Sequence, residues 1–145
     1  MSEHNEYYAY FTIANSFDPD EITRRVGISP TDSWHKGDLH PKTGRARNFS
    51  RWSLRSRLET TASPETHVRD VLDQLDANPA AFKQLCIQKS GTMQLVAYFR
   101  TDYPGLDFER ELIERIAGYS LSMDCDFYFP YSGSQDAPRR LPRLA

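Results

Sequence analysis

Cysteine is nearly absent: the chain of 145 residues holds only Cys86 and Cys125, far apart and outside any paired motif. That excludes a disulfide framework and places both residues as reduced thiols in a cytoplasm. Long apolar runs are also missing. The longest, such as Leu95 to Phe99, are far too short to span a bilayer. The opening residues, Met1-Ser2-Glu3-His4-Asn5-Glu6, are polar and acidic rather than a signal peptide. No Gly-x-Ser-x-Gly nucleophile elbow occurs. No Gly-rich phosphate loop occurs either, because Lys42-Thr43-Gly44 lacks the glycine spacing of a P-loop.

What is present is an ordinary soluble composition, with 39% hydrophobic, 26% charged and 12% aromatic residues. The aromatic share argues against disorder, and the length is that of one domain. The net charge of −2 implies no polyanionic partner by itself, yet charge is unevenly spread. Between His35 and Leu58 stand Lys36, Lys42, Arg45, Arg47, Arg51, Arg55 and Arg57 against a single acid, Asp38.

Periodicity predicts a first strand from Tyr7 to Ile13, with Ala9, Phe11 and Ile13 on one face and Tyr8, Tyr10 and Thr12 on the other. Asp18-Pro19 with Glu21 is a cap-then-proline signature for a short helix, ended by Gly27. Gly37 to Asn48 is a long loop, with part of a hairpin as one form for it. Arg51 to Leu58 alternates Trp52, Leu54 and Leu58 toward a core with Arg51, Arg55 and Arg57 on the outside. Ser63-Pro64 opens a second helix with Val68, Val71, Leu72 and Leu75 inward, and Pro79 to Leu85 adds a further turn or two. His67, just after the cap, is expected at the surface. Cys86 to Gln88 and Met93 to Arg100 read as a hairpin around Ser90-Gly91. A third helix starts at Asp107 with Leu112, Ile113 and Ile116 inward. A last strand runs from Leu121 to Phe129, with Asp124 and Asp126 facing out. The expected fold is α+β: a single domain with a largely antiparallel sheet, about three helices on one face and ferredoxin-like split β-α-β units. The expected boundaries are an N-terminal extension at 1–6, the domain at 7–130 and a flexible C-terminal tail at 131–145. One core is expected to hold Phe11, Trp52, Leu54, Leu72, Ile113 and Phe127.

These residues carry a resemblance. An aromatic first strand leads to Asp18-Pro19-Asp20-Glu21-Ile22-Thr23, then Gly27-Ile28-Ser29-Pro30-Thr31 with Trp34 and Gly37-Asp38. A Trp52-Ser53-Leu54 strand and a closing Asp124-Cys125-Asp126-Phe127-Tyr128 strand follow. The pattern resembles the bacterial domain-of-unknown-function 4279 family over about residues 7 to 129. The resemblance implies a small standalone cytoplasmic bacterial domain, and it brings no activity and no functional residues.

Candidate sites follow from residue chemistry. His35, Asp38 and His40 are metal-ligand types, but they sit beside Gly37 and Pro41 in a polar turn without a rigid frame, so neither a metal nor another cofactor is expected. Cys125 lies on an apolar face as a small hydrophobe. Asp124 and Asp126 share a strand face, where they are either solvated or paired with the arginines of Arg51 to Arg57. The basic set Arg45, Arg47, Arg51, Arg55 and Arg57 is the candidate binding surface, because arginine forks suit carboxylate and phosphate oxygens. Phe49 and Trp34 are the rings available beside it. The first expectation is a non-catalytic protein-interaction module, of which an immunity or accessory protein is one form. Anion or nucleic-acid binding through residues 36–57 is the alternative, and a small enzyme without a recognisable motif is the third. The partner is expected to be another protein before a nucleic acid, and not a membrane.

Overall fold

The computed structural model describes residues 4–130. The expected flexible tail and the first residues of the expected extension lie outside the described residues. Nine elements follow one another: β1 (Glu6–Asn15), α1 (Pro19–Val26), β2 (Asp32–Trp34), β3 (Ser50–Arg55), α2 (Pro64–Leu75), α3 (Pro79–Lys89), β4 (Thr92–Tyr98), α4 (Arg110–Gly118) and β5 (Ser122–Tyr128). The class is α+β as expected, with four helices rather than three. No helix among the described residues is long and apolar enough to cross a membrane.

Local chemistry sets the helix ends. The Asp18 carboxylate accepts from the Asp20 N–H at 3.0 Å, and Pro19 occupies the first turn. Gly27 closes α1 at φ 73°, a left-handed backbone that glycine adopts without steric penalty. Ser63 caps α2 by accepting from the Thr66 N–H at 3.3 Å. The expected strand over Cys86 to Gln88 is instead the last part of α3. Ala80, Ala81, Lys83, Gln84 and Leu85 are good helix formers behind Pro79, and Phe82, Leu85 and Cys86 bury at helical spacing. Gly91 then brings the chain into β4 at a point where a Cβ would stand 2.8 Å from Cys86 Sγ and 3.0 Å from the Phe11 ring. Only glycine fits there.

The sheet order is β2-β3-β1-β4-β5, antiparallel except for the parallel β4–β5 pair. β1 is antiparallel to both of its neighbours, so β3 and β4 run parallel to each other with β1 between them. Together with α2 and α3 they form a split β-α-β unit, and α4 then carries β4 over to β5. Gly37 to Asn48 folds into a small hairpin, held by Gly37 N–H to Arg47 O at 2.8 Å and Arg47 N–H to Asp38 O at 2.7 Å.

All four helices pack on one side of the sheet. Ile22, Val26, Leu72, Leu75, Phe82 and Leu112 join Phe11, Trp52 and Leu54 in one cluster. At its centre Phe11 meets Trp52 and Phe82 edge-on, with ring centroids 6.0 and 5.6 Å apart. Three core expectations are corrected. Phe127 packs in a separate cluster with Tyr7, Ala97 and Phe99. Ile113 is 54% exposed, because α4 turns Leu112 and Ile116, four residues apart, inward as expected, and Ile113 lies off that stripe. Leu58 is 39% exposed, because β3 ends at Arg55 and the alternation does not continue past it.

Trp52 fills the junction of β1, β3, α1 and α3, and its Nε1 donates to Thr23 Oγ1 at 3.0 Å. Trp52→Ala is therefore expected to cost about 3 to 5 kcal/mol, read as a lowered urea midpoint. A midpoint equal to the wild type would contradict this packing.

Candidate functional site

Among the described residues, the sheet's second face carries no helix. Strand alternation places Tyr8, Tyr10 and Thr12 there, opposite the core-facing Ala9, Phe11 and Ile13. The register then aligns Tyr10 with Arg55, Thr12 with Ser53, and Trp34 with Arg51. On the other side of β1, Tyr98 stands opposite Tyr128 and the two rings stack at 5.0 Å. A cleft of about 270 Å³ opens on the β2–β3–β1 half, lined by Tyr8, Tyr10, Asp32, Trp34, Arg51 and Arg55 among others.

The expected basic set divides in two. Arg51 and Arg55 share this face, and Arg47 reaches it from the hairpin, but Arg57 does not. Beyond the end of β3 its side chain turns to α2, where Arg57 Nη2 meets Asp70 Oδ1 at 2.8 Å and the Arg57 N–H donates to Asp70 Oδ2 at 2.9 Å. Burial alone raises the Asp70 pKa, but the hydrogen bonds from Arg57 and Gln74 outweigh it and hold the carboxyl below its ordinary value. Arg45 stays in the exposed hairpin turn, where its N–H donates to Thr43 Oγ1 at 3.3 Å.

The remaining three arginines rest on aromatic rings. The Arg47 guanidinium lies 3.7 Å from the Trp34 ring centroid, and that of Arg55 lies 3.9 Å from the Tyr8 centroid. Arg51 stands between Trp34 and Phe49 at 5.4 and 5.5 Å. Trp34 is itself fixed, its Nε1 donating to Phe49 O at 2.9 Å. The Nε atoms of Arg47 and Arg51 are shielded from solvent and donate to no acceptor among the described residues. The rings they lie on supply that shielding, and a shielded donor without an acceptor is uncommon in folded proteins.

Asp124 and Asp126 do not serve these arginines. β5 lies three strand spacings from β3, roughly 14 Å, and Asp126 accepts from Gln94 Nε2 at 2.9 Å.

Two other arrangements join residues that sequence spacing kept apart. His35 Nε2 lies 3.3 Å from both Asp18 Oδ1 and Asp20 Oδ2, and its Nδ1 lies 3.6 Å from Asp38 Oδ2. Asp18, Asp20 and His35 are the group among the described residues whose ligand atoms converge closely enough to hold a divalent cation; all three are exposed. His40 takes no part, since its Nδ1 accepts from the Lys42 and Thr43 amides. Desolvation draws the His35 pKa down, but Asp20, Asp38 and Asp18 together outweigh it and hold the pKa above its ordinary value.

His67, expected at the surface, is fully buried. Its Nδ1 is 2.7 Å from Ser56 Oγ, which also accepts from the Ala9 N–H at 3.1 Å. Ser56 thereby has its hydroxyl proton left for Nδ1. A serine–histidine contact of this kind resembles a nucleophile with its base, but it is buried between β3 and α2, where it pins the strand end to the helix. Burial pushes the His67 pKa down against weaker opposition from the Glu59 backbone and Asp70. Burial likewise pushes the Cys86 thiol up to about 12 and raises Cys125, so neither is an activated nucleophile.

The two histidines should titrate in opposite directions from about 6.5, His35 above and His67 below, in a proton NMR series. Their effects on stability follow. Because His67 is neutral when folded, its contribution is lost as pH falls below about 6.5. The ion pairs of His35 are present at low pH and lost as pH rises through its raised pKa. Urea midpoints at pH 5.5 and 8 check both, with His67→Gln reducing the acid-side loss and His35→Gln deepening it. Equal slopes in the two variants would contradict the assignment.

Neither a curated protein nor a solved structure matches the chain. A family model does match residues 5–130, nearly all of the described residues, and by it the chain belongs to the family described as a domain of unknown function, DUF4279.

Proposed function

We propose that the protein is a non-catalytic interaction module that docks an anionic partner on the helix-free face, across β2, β3 and β1. The observation that carries this is the contrast among the arginines. Arg57, Arg69, Arg100 and Arg115 are each paired with a carboxylate of the chain. Arg47, Arg51 and Arg55 are supported by rings instead, with no carboxylate within ion-pair distance among the described residues. A guanidinium laid on a ring keeps its charge and is held in one orientation at low entropic cost. Acidic protein segments and nucleic acids both offer oxygens to such groups. The cleft gives the partner a concave seat, and tyrosine, tryptophan and arginine are the side chains that dominate binding energy at interfaces. Both cysteines are free, which suits a reducing compartment such as the cytoplasm.

Reversing the charge in an Arg51→Glu/Arg55→Glu double variant is expected to remove the capture of partners from a cell lysate on the immobilised chain. The hot-spot magnitude is about 2 kcal/mol or more in affinity, while stability changes by about 1 kcal/mol or less. Arg57→Ala should do the reverse, lowering the urea midpoint by an amount equivalent to about 1 kcal/mol or less and leaving capture intact. Retention of the same partners by the double variant would contradict the proposal.

A further inference from the structure

We infer that the partner docked on this face is a single-stranded nucleic acid, an inference that rests on the docking function proposed above. An acidic peptide needs only the arginines. Rings serve protein partners as well, but a set that continues past the arginines also offers bases a surface to stack on. Trp34 stands on β2, Tyr8 and Tyr10 on β1, Tyr98 on β4 and Tyr128 on β5, all on the helix-free face. The register sets Trp34 level with residue 14 of β1 and Tyr98 and Tyr128 level with residue 6, so the rings run diagonally, roughly 19 Å across the strands and roughly 26 Å along them, a span of several nucleotides.

The tyrosine rings stand in two stacked pairs, with Arg55 on Tyr8. Tyr8 and Tyr10 stack at 6.2 Å and 21°, and Tyr98 and Tyr128 at 5.0 Å and 17°. A base extends such a stack whatever its identity, because every base has a π-face. Phosphates fall to the arginines at the β2–β3 side. There the Arg47 and Arg51 guanidinium groups flank one ring, Trp34. A duplex is disfavoured, since its bases are already stacked and cannot reach the tyrosines. The order of the parts is therefore basic at β2–β3 and aromatic across β1, β4 and β5, where Asp124 and Asp126 share the face with Tyr128; the arginines form the cationic track and the tyrosines the stacking platform that single strands require.

The test is fluorescence anisotropy of the full chain against end-labelled dT12, rU12, a duplex of the same length and poly-glutamate. Both single strands should bind and the duplex much less. With three arginines on phosphates, log K should fall against log salt with a slope of about −2, and Arg47→Ala should flatten it by about 0.7. Tyr10→Ala and Tyr98→Ala should each weaken binding at least about fivefold, the low end for one stacked base. Tyr10→Phe and Tyr98→Phe should retain it, because the ring remains. Three results overturn the inference: a duplex bound as tightly as the single strands, alanine variants that bind like the wild type, or poly-glutamate bound in preference to the oligonucleotides. The last would leave the docking function standing with an acidic protein as partner. Binding of no probe at all would count against both.

Discussion

The contact among Phe11, Trp52 and Phe82 brings together β1, β3 and α3, and the one-sided layout of the molecule depends on it. Phe11 is central on the middle strand. Its side of the sheet therefore receives the helices, and Ile22, Leu72 and Leu112 from three of them complete the same cluster. Period-two alternation then commits Tyr8, Tyr10 and Thr12 to the opposite side, where no helix of the described residues covers them. A sheet face left without a layer must be closed by its own side chains. Here tyrosines, serine, threonine and arginine laid on rings do so, and they leave a cleft rather than a flat surface.

The same alternation decides what each arginine can do. Arg51 and Arg55 project from β3 beside rings of neighbouring strands, with no carboxylate in ion-pair distance among the described residues. Two residues beyond Arg55 the strand is over. Ser56 is fixed by Ala9 and His67, and Arg57 is carried toward α2 and neutralised by Asp70. The end of a strand thus separates the arginines laid on rings from the one paired with a carboxylate, although all three share one parity in the sequence. The acids of β5 are kept from this site by the two strands between, which places the acidic and the basic parts of the face at opposite sides of the sheet.

Features governed by neighbours in sequence were legible. The Asp18-Pro19 and Ser63-Pro64 starts, the left-handed Gly27 and the alternation around Phe11, Trp52 and Leu54 are local, and each appears in the structure. The basic face was legible in Arg51 and Arg55 for the same reason. Features governed by tertiary contact were not. Cys86 to Gln88 is short and mixed, a segment whose local pattern fits strand or helix, and packing against Phe11 selects helix. His67 has a polar side chain one turn into a helix and reads as exposed; only the distant Ser56 gives it a reason to be buried. The approach of His35 to Asp18 and Asp20 likewise depends on β2 returning beside α1, which no spacing encodes. Trp34 as a platform for Arg47 needed the hairpin that brings residue 47 back over β2.

The central claim is that the Arg47 and Arg51 guanidinium groups are held ready for an anion that the described residues do not supply. Nitrogen-edited NMR of the arginine Nε–H resonances, followed as inorganic phosphate is added, tests it most directly. The account predicts that the Arg47 and Arg51 signals move together and saturate, while that of Arg57, already held by Asp70, stays in place. Arg47 and Arg51 signals that do not respond, or that move no more than that of Arg57, would contradict it.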